Sequence, residues 1–129
     1  MILSGRAIAK GTAAAPLLRS ADPISFLGQV DPKTGIITDK NHSLYGKSIA
    51  GKVLSFPAGK GSTVGSYVIY ALHRNGVAPA AFIVGQCETI VAVGAIIAGI
   101  PAVDNIAASL PADGTEVTVD GSAGTVSFA

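Results

Sequence analysis

Short apolar blocks recur along the chain, and most end at glycine, proline or Asp/Asn signals. Residues 1–10 read as a first strand closed by Gly11, and 15–18 as a second, short extended piece. Apolar positions alternate over 24–30, which predicts a strand. Asp31, Pro32, Lys33, Thr34 and Gly35 follow as a turn, because proline presets φ, aspartate can accept from the backbone ahead, and glycine supplies the left-handed position. Residues 36–38 begin a return strand or extended loop, and 41–46 form a polar connection. Val53, Leu54, Ser55 and Phe56 are a short apolar run of high strand propensity. From Ser62 or Ser66 onward the period becomes helical. Tyr67, Val68, Tyr70, Ala71 and Leu72 occupy so much of that helix that it is expected to be substantially buried, with Asn75 and Gly76 as its stop. Residues 79–84 form a buried strand, 90–98 a short helix, and 100–103 a strand entering the core. The end of the chain, 115–121 and 125–128, alternates as a hairpin around an Asp120-Gly121 turn. Many short strands with two helical segments predict a β-rich α/β domain, one domain over 1–129.

Composition narrows the class. Of 129 residues 49% are hydrophobic and 13% charged, which is enough apolar surface to fold and too little charge for a fully solvated exterior. Part of the surface is therefore expected to lie under a partner. Nine Lys and Arg stand against eight Asp and Glu, without a basic cluster, so neither nucleic acid nor a membrane surface is an expected partner. The most apolar stretch, 90–103, is interrupted by Gly94, Gly99 and Pro101 and is too short for a bilayer. The N-terminal residues lack the charged-then-apolar order of a signal peptide. A soluble cytoplasmic protein is expected. The single cysteine, Cys87, can neither close an internal disulfide nor hold a metal alone.

Gly59, Lys60, Gly61, Ser62, Thr63, Val64, Gly65 and Ser66 carry the strongest chemical signal. A strand enters this run and a helix leaves it, so unpaired N–H groups and the helix dipole favour an anion there. The alkoxide of a hydroxyl in the turn would be stabilised by those groups and by Lys60, as a serine base requires. Simple N-capping by Ser62 or Ser66 also accounts for the spacing and is the slightly favoured reading of it, and both readings stay open. The run is not a P-loop, since Gly61 separates the lysine from the hydroxyl, and no ribose-binding acid makes it a dinucleotide fingerprint. His42 in a polar loop and His73 near a helix end are expected to be solvated or helix-terminal. Cys87 beside Glu88 is expected to act as a small hydrophobe, and Asp31 and Asp104 as turn or capping residues.

Three longer segments, 24–32 with 42–54, 56–68 and 94–104, resemble the small subunit of the aconitase X group, in order and across nearly the whole chain. The resemblance implies a compact swivelling β/β/α domain that closes over the active site of a larger subunit in a heterodimer. It implies a hydro-lyase, active only with that subunit, which dehydrates (R)-5-phosphomevalonate to trans-anhydromevalonate 5-phosphate in an archaeal-type mevalonate pathway. Ser62 would be the catalytic base, with Gly59, Lys60, Gly61, Thr63 and Ser66 around a small anionic substrate. An iron–sulfur cluster, of the [4Fe–4S] kind, would be held by the large subunit, with no metal ligand on this chain. Aconitases proper carry a carboxylate-gripping arginine two places after the serine; Val64 stands there instead, which argues against a citrate-like substrate.

Three alternatives follow from the same residues. Relatives acting on hydroxyproline share the serine turn. A phosphohistidine-carrying swivelling domain resembles 99–103 and 117–121, yet needs a histidine ahead of the Gly-Ile-Pro run, and none stands near Val93. A non-catalytic scaffolding subunit would make Ser62 dispensable.

Overall fold

The computed structural model describes residues 1–106 and 109–129. The strands are β1 (Ile2–Ser4), β2 (Arg6–Ala9), β3 (Thr12–Arg19), β4 (Val53–Phe56), β5 (Ala81–Val84), β6 (Ala102–Asp104), β7 (Glu116–Asp120) and β8 (Thr125–Ser127). The helical elements are α1 (Phe26–Gln29), α2 (Gly65–Arg74) and α3 (Thr89–Ala98). Among the described residues the strands form one sheet in the order β1-β8-β7-β3-β4-β5-β6-β2.

β3 divides that sheet. Residues 12–16 pair antiparallel with β7, whereas 17–19 pair parallel with β4. From there β4, β5 and β6 run parallel. Alternation along these strands explains the layers, because successive side chains leave opposite faces. Leu54, Phe56, Phe82 and Val84 belong to the core beneath α2 and α3, with Ile69, Leu72, Val91 and Ala95. Val53, Ala81, Ile83 and Val103 belong to a second core, with Val117, Val119 and Val126 of the antiparallel part. The result is a β/β/α arrangement in which the parallel strands are buried on both faces, in keeping with their largely apolar sequences. Phe26, Phe56 and Phe82 meet edge-on or tilted at 5.6–5.8 Å between ring centres, which fastens the 24–30 segment over the ends of β4 and β5.

Several expected elements take a different form. Residues 1–10 are two strands, since β1 joins β8 while β2 joins β6 at the opposite edge of the sheet. The second extended piece is longer than 15–18, because β7 and β4 pair with different halves of it. Residues 24–30 are not a strand. Ile24 makes one parallel bridge to Gly59, and the chain then turns through α1, in which Gly28 adopts φ +107. The Gln29 side chain accepts the Ser25 N–H at 2.8 Å, so this turn is tied by side chains rather than by a ladder. α2 is one-sided: Val68, Ile69 and Leu72 are buried, while Tyr67 and Tyr70 face outward. The terminal hairpin closes through residues 121–124 rather than a two-residue turn, because Asp120 Oδ1 accepts the Ser122 and Ala123 N–H groups, each at 3.0 Å. The 31–35 turn forms as expected, with the Gly35 N–H on Asp31 O at 2.8 Å and φ +73 at Gly35. The Asn75-Gly76 stop forms too, with φ +73 at Gly76.

Candidate active site

Parallel strands present their carboxyl ends along one edge, the usual place for a ligand in an α/β sheet. β4 leaves that edge through residues 57–64 and enters α2. Two hydrogen bonds hold the departing chain, Ile24 N–H to Ala58 O at 3.0 Å and Lys60 N–H to Ile24 O at 3.1 Å. Gly59 sits against the start of α3, where an added Cβ would stand 2.5 Å from Val91 Cγ2 and 2.6 Å from Glu88 Oε1. Only glycine permits that approach. Gly61 then turns the chain at φ +89 above the Ser25 hydroxyl, which itself donates to Leu27 O at 2.8 Å.

Ser62 follows in an exposed position. The Val64 N–H donates to its Oγ at 3.1 Å, and the Gly65 N–H donates to its carbonyl at 3.0 Å. Ser62 therefore closes the turn ahead of α2, although helical geometry proper begins with Val64 as N-cap and without a side-chain cap. Capping and exposure coexist in one hydroxyl. Among the described residues no acceptor takes the Ser62 hydroxyl proton, and the N–H groups of Gly61, Ser62 and Thr63 have no partner in the chain. Ser66 is different. It is buried and donates to Thr63 O at 3.1 Å, so it braces the turn from below. Lys60, Gly61, Ser62 and Thr63 thus come together at the surface, Gly59 supports them, and Ser66 lies beneath.

The charges near the turn have identifiable causes. Asp22 is held below the ordinary carboxylate range chiefly by the Ser43 N–H at 2.9 Å, and Lys60 adds to this at longer range. Asp39 is lowered in the same way, first by the Asn41 N–H and then by the Gln29 amide at 2.9 Å. His42 is neither solvated nor helix-terminal. It is buried, its Nδ1 accepts the Leu44 N–H at 3.0 Å, and the ring proton therefore sits on Nε2, 3.1 Å from Pro23 O. His73 lies in the last turn of α2, near the Tyr70 ring, as expected.

Glu88 is a residue whose role the spacing of Cys87 and Glu88 concealed. Its carboxylate caps α3 by accepting the Val91 and Ile90 N–H groups at 3.2 and 3.3 Å. Asp104 is likewise more than a turn residue. It is fully buried at the end of β6, receives Arg6 through two hydrogen bonds of 2.9 and 2.7 Å, and accepts the Cys87 N–H at 2.8 Å. Burial opposes its charge, but these donors outweigh that and hold its pKa below the usual carboxylate range.

The donor set does not fit an iron–sulfur cluster. Among the described residues no three His, Cys, Asp or Glu side chains converge. Burial, with Asp104 and Glu88 nearby, pushes the Cys87 thiol up to about 11, so it is protonated at neutral pH and packs as an apolar group. No helix among these residues is long and apolar enough to cross a membrane.

The family model of the aconitase X swivel domain matches residues 2–128. The chain belongs to that family. It is 60% identical over 126 residues to the phosphomevalonate dehydratase small subunit of Thermococcus onnurineus, covering 98% of this chain and 97% of that one. The protein of the same name from Methanosarcina acetivorans is 59% identical over 125 residues, covering 95% and 87%. The crystal structure of Thermococcus kodakaraensis aconitase X in its holo-form superposes with a TM-score of 0.96 at 54% identity, covering 100% of this chain and 98% of that one.

Proposed function

We propose that this chain is the small subunit of a phosphomevalonate dehydratase, a hydro-lyase, and that Ser62 is its proton-abstracting base. Likeness over almost the whole length to small subunits of that name supports the activity. One structural observation carries the chemistry: the Ser62 oxygen accepts the Val64 N–H while its own proton has no acceptor among the described residues. A donor fixed on the oxygen stabilises the alkoxide, and because no described protein group takes the hydroxyl proton, that proton leaves to water when the alkoxide forms. In the reaction the Oγ alkoxide, its own proton already released to water, takes a proton from the carbon beside the substrate carboxylate and afterwards returns it to solvent. The C–H electron pair becomes the new double bond, and the hydroxyl on the next carbon departs; proton and hydroxide together amount to one water.

The open N–H groups of Gly61, Ser62 and Thr63, with the Lys60 ammonium, are suited to the anionic substrate. Gly59 and Ser66 support this turn without touching the substrate. The residues here do not fit a cluster, so in this reading an iron–sulfur cluster, a [4Fe–4S] one, belongs to the large subunit of a cytoplasmic heterodimer. That subunit also covers the serine turn. Leu27, Val64 and Tyr67 beside it are 46%, 44% and 68% exposed, and a base working in bulk water would lose the benefit of its fixed donors.

Reconstitution tests the reading. Mixed anaerobically with its large subunit, the chain should convert (R)-5-phosphomevalonate to trans-anhydromevalonate 5-phosphate, while neither chain does so alone. Turnover of a hydroxyproline instead would keep the dehydratase class and replace the substrate.

A further inference from the structure

A cleft of about 310 Å³ opens on the same carboxyl edge of the sheet, at the ends of β3, β4 and β5. Arg19, Ser20, Ser55, Pro57, Gly85 and Ser109 line it. Arg19 is the last residue of β3, and it also borders a neighbouring hollow of about 390 Å³ beside Asp113. An arginine next to an aspartate would ordinarily pair with it. Here the Asp113 carboxylate is turned to the Arg19 backbone N–H at 2.8 Å, and among the described residues the ion pair formed is that of Arg6 with Asp104. Within those residues the Arg19 guanidinium has neither an ion pair nor a hydrogen bond.

The surrounding polar groups are sorted in a consistent way. Ser20, which is buried, donates its hydroxyl to Asp22 O at 2.7 Å, while the Ser55 hydroxyl makes no bond among the described residues. The cleft is thus a hollow at the end of parallel strands lined by Arg19, whose guanidinium forms no ion pair among the described residues, and by Ser55 with its spare hydroxyl, and among the described residues no carboxylate lines it. Planar guanidinium groups in such positions bind phosphate through paired hydrogen bonds. The path to the serine turn is short. Pro57 forms part of the cleft wall, and the five-residue run from it to Ser62 can span at most about 17 Å even when fully extended.

We propose that Arg19 and this cleft bind the phosphate monoester end of the substrate, while the Ser62 turn handles its carboxylate end. The proposal rests on the dehydratase reading for its substrate, but the site itself is defined by phosphate chemistry. Arg19 is a binding residue here and takes no part in proton transfer.

The test uses the reconstituted complex of both subunits. Arg19→Ala should raise KM for (R)-5-phosphomevalonate by about tenfold to a hundredfold, with kcat changed far less, and Arg19→Lys should fall between. Inorganic phosphate should inhibit the parent complex competitively, and should broaden in its phosphorus-31 spectrum on binding. Both effects should be lost in Arg19→Ala and partly kept in Arg19→Lys, which preserves the charge if the alanine variant assembles poorly. Unchanged KM and unchanged phosphate binding in both variants would overturn the proposal and leave the dehydratase reading intact. Absence of turnover by the parent complex, with Arg19-dependent phosphate binding retained, would overturn the dehydratase reading and leave the subsite standing.

Discussion

Gly59 and Glu88 are packed so closely that one residue's lack of a side chain holds the other's carboxylate in place. An added Cβ at 59 would stand 2.6 Å from Oε1, the atom that accepts the Val91 N–H. The cap of α3 and the chain leading to Ser62 therefore form one unit. Gly59→Ala must either displace the Glu88 carboxylate, at a cost of about 1 kcal/mol for the cap, or push the serine turn outward. The expected loss is about 1–3 kcal/mol in chemical denaturation, with kcat of the assembled enzyme falling by more than KM rises.

Cys87 is expected to be chemically quiet. With its thiol pushed up to about 11, iodoacetamide should label it slowly at pH 8 and faster as the pH approaches that value. Cys87→Ala should leave the activity of the assembled enzyme within about twofold, since the thiol packs beside the core and, among the described residues, belongs to no cluster of metal-ligating side chains.

Asp104 makes stability depend on acid. Its pKa in the folded chain lies below the ordinary value of 3.8, so its contribution is fully present above that pH and is lost as pH falls through the folded value. Asp104→Asn should therefore lower stability at pH 7, and the deficit relative to the parent should shrink on acidification below about pH 4. Urea denaturation midpoints of the two proteins between pH 7 and pH 3 measure this.

Legibility in the sequence followed the range of the interactions. Val53–Phe56 was readable as an apolar run of high strand propensity, and the terminal hairpin by its alternation and Asx or glycine stop, because these signals are local. The helix stop at Asn75 and Gly76 was readable for the same reason. The 24–30 segment carries a strand's alternation, yet Phe26 leaves it to join Phe56 and Phe82, partners about 30 and 56 residues away. Burial of His42 depends on the Pro23 carbonyl, which no local pattern announces. Gly59, Lys60, Gly61, Ser62 and Thr63 stood out through glycine spacing and the strand-to-helix change. Ser66 looked equivalent to Ser62 by type, and only the path of the chain turns one outward and the other in. Glu88 carried a readable signal, an acceptor immediately before a helical run, obscured by the cysteine next to it. Arg19 carried none, because a cation without an ion pair among the described residues is defined by what the fold fails to bring near it.

Replacement of the Ser62 hydroxyl separates a catalytic base from a helix-leading cap. A Ser62→Ala small subunit, assembled with its large subunit under anaerobic conditions, should bind it normally and lose about 10²- to 10⁴-fold in kcat for dehydration of (R)-5-phosphomevalonate. Turnover at the parent rate by that complex would contradict the account and reduce Ser62 to the cap of a helix-leading turn.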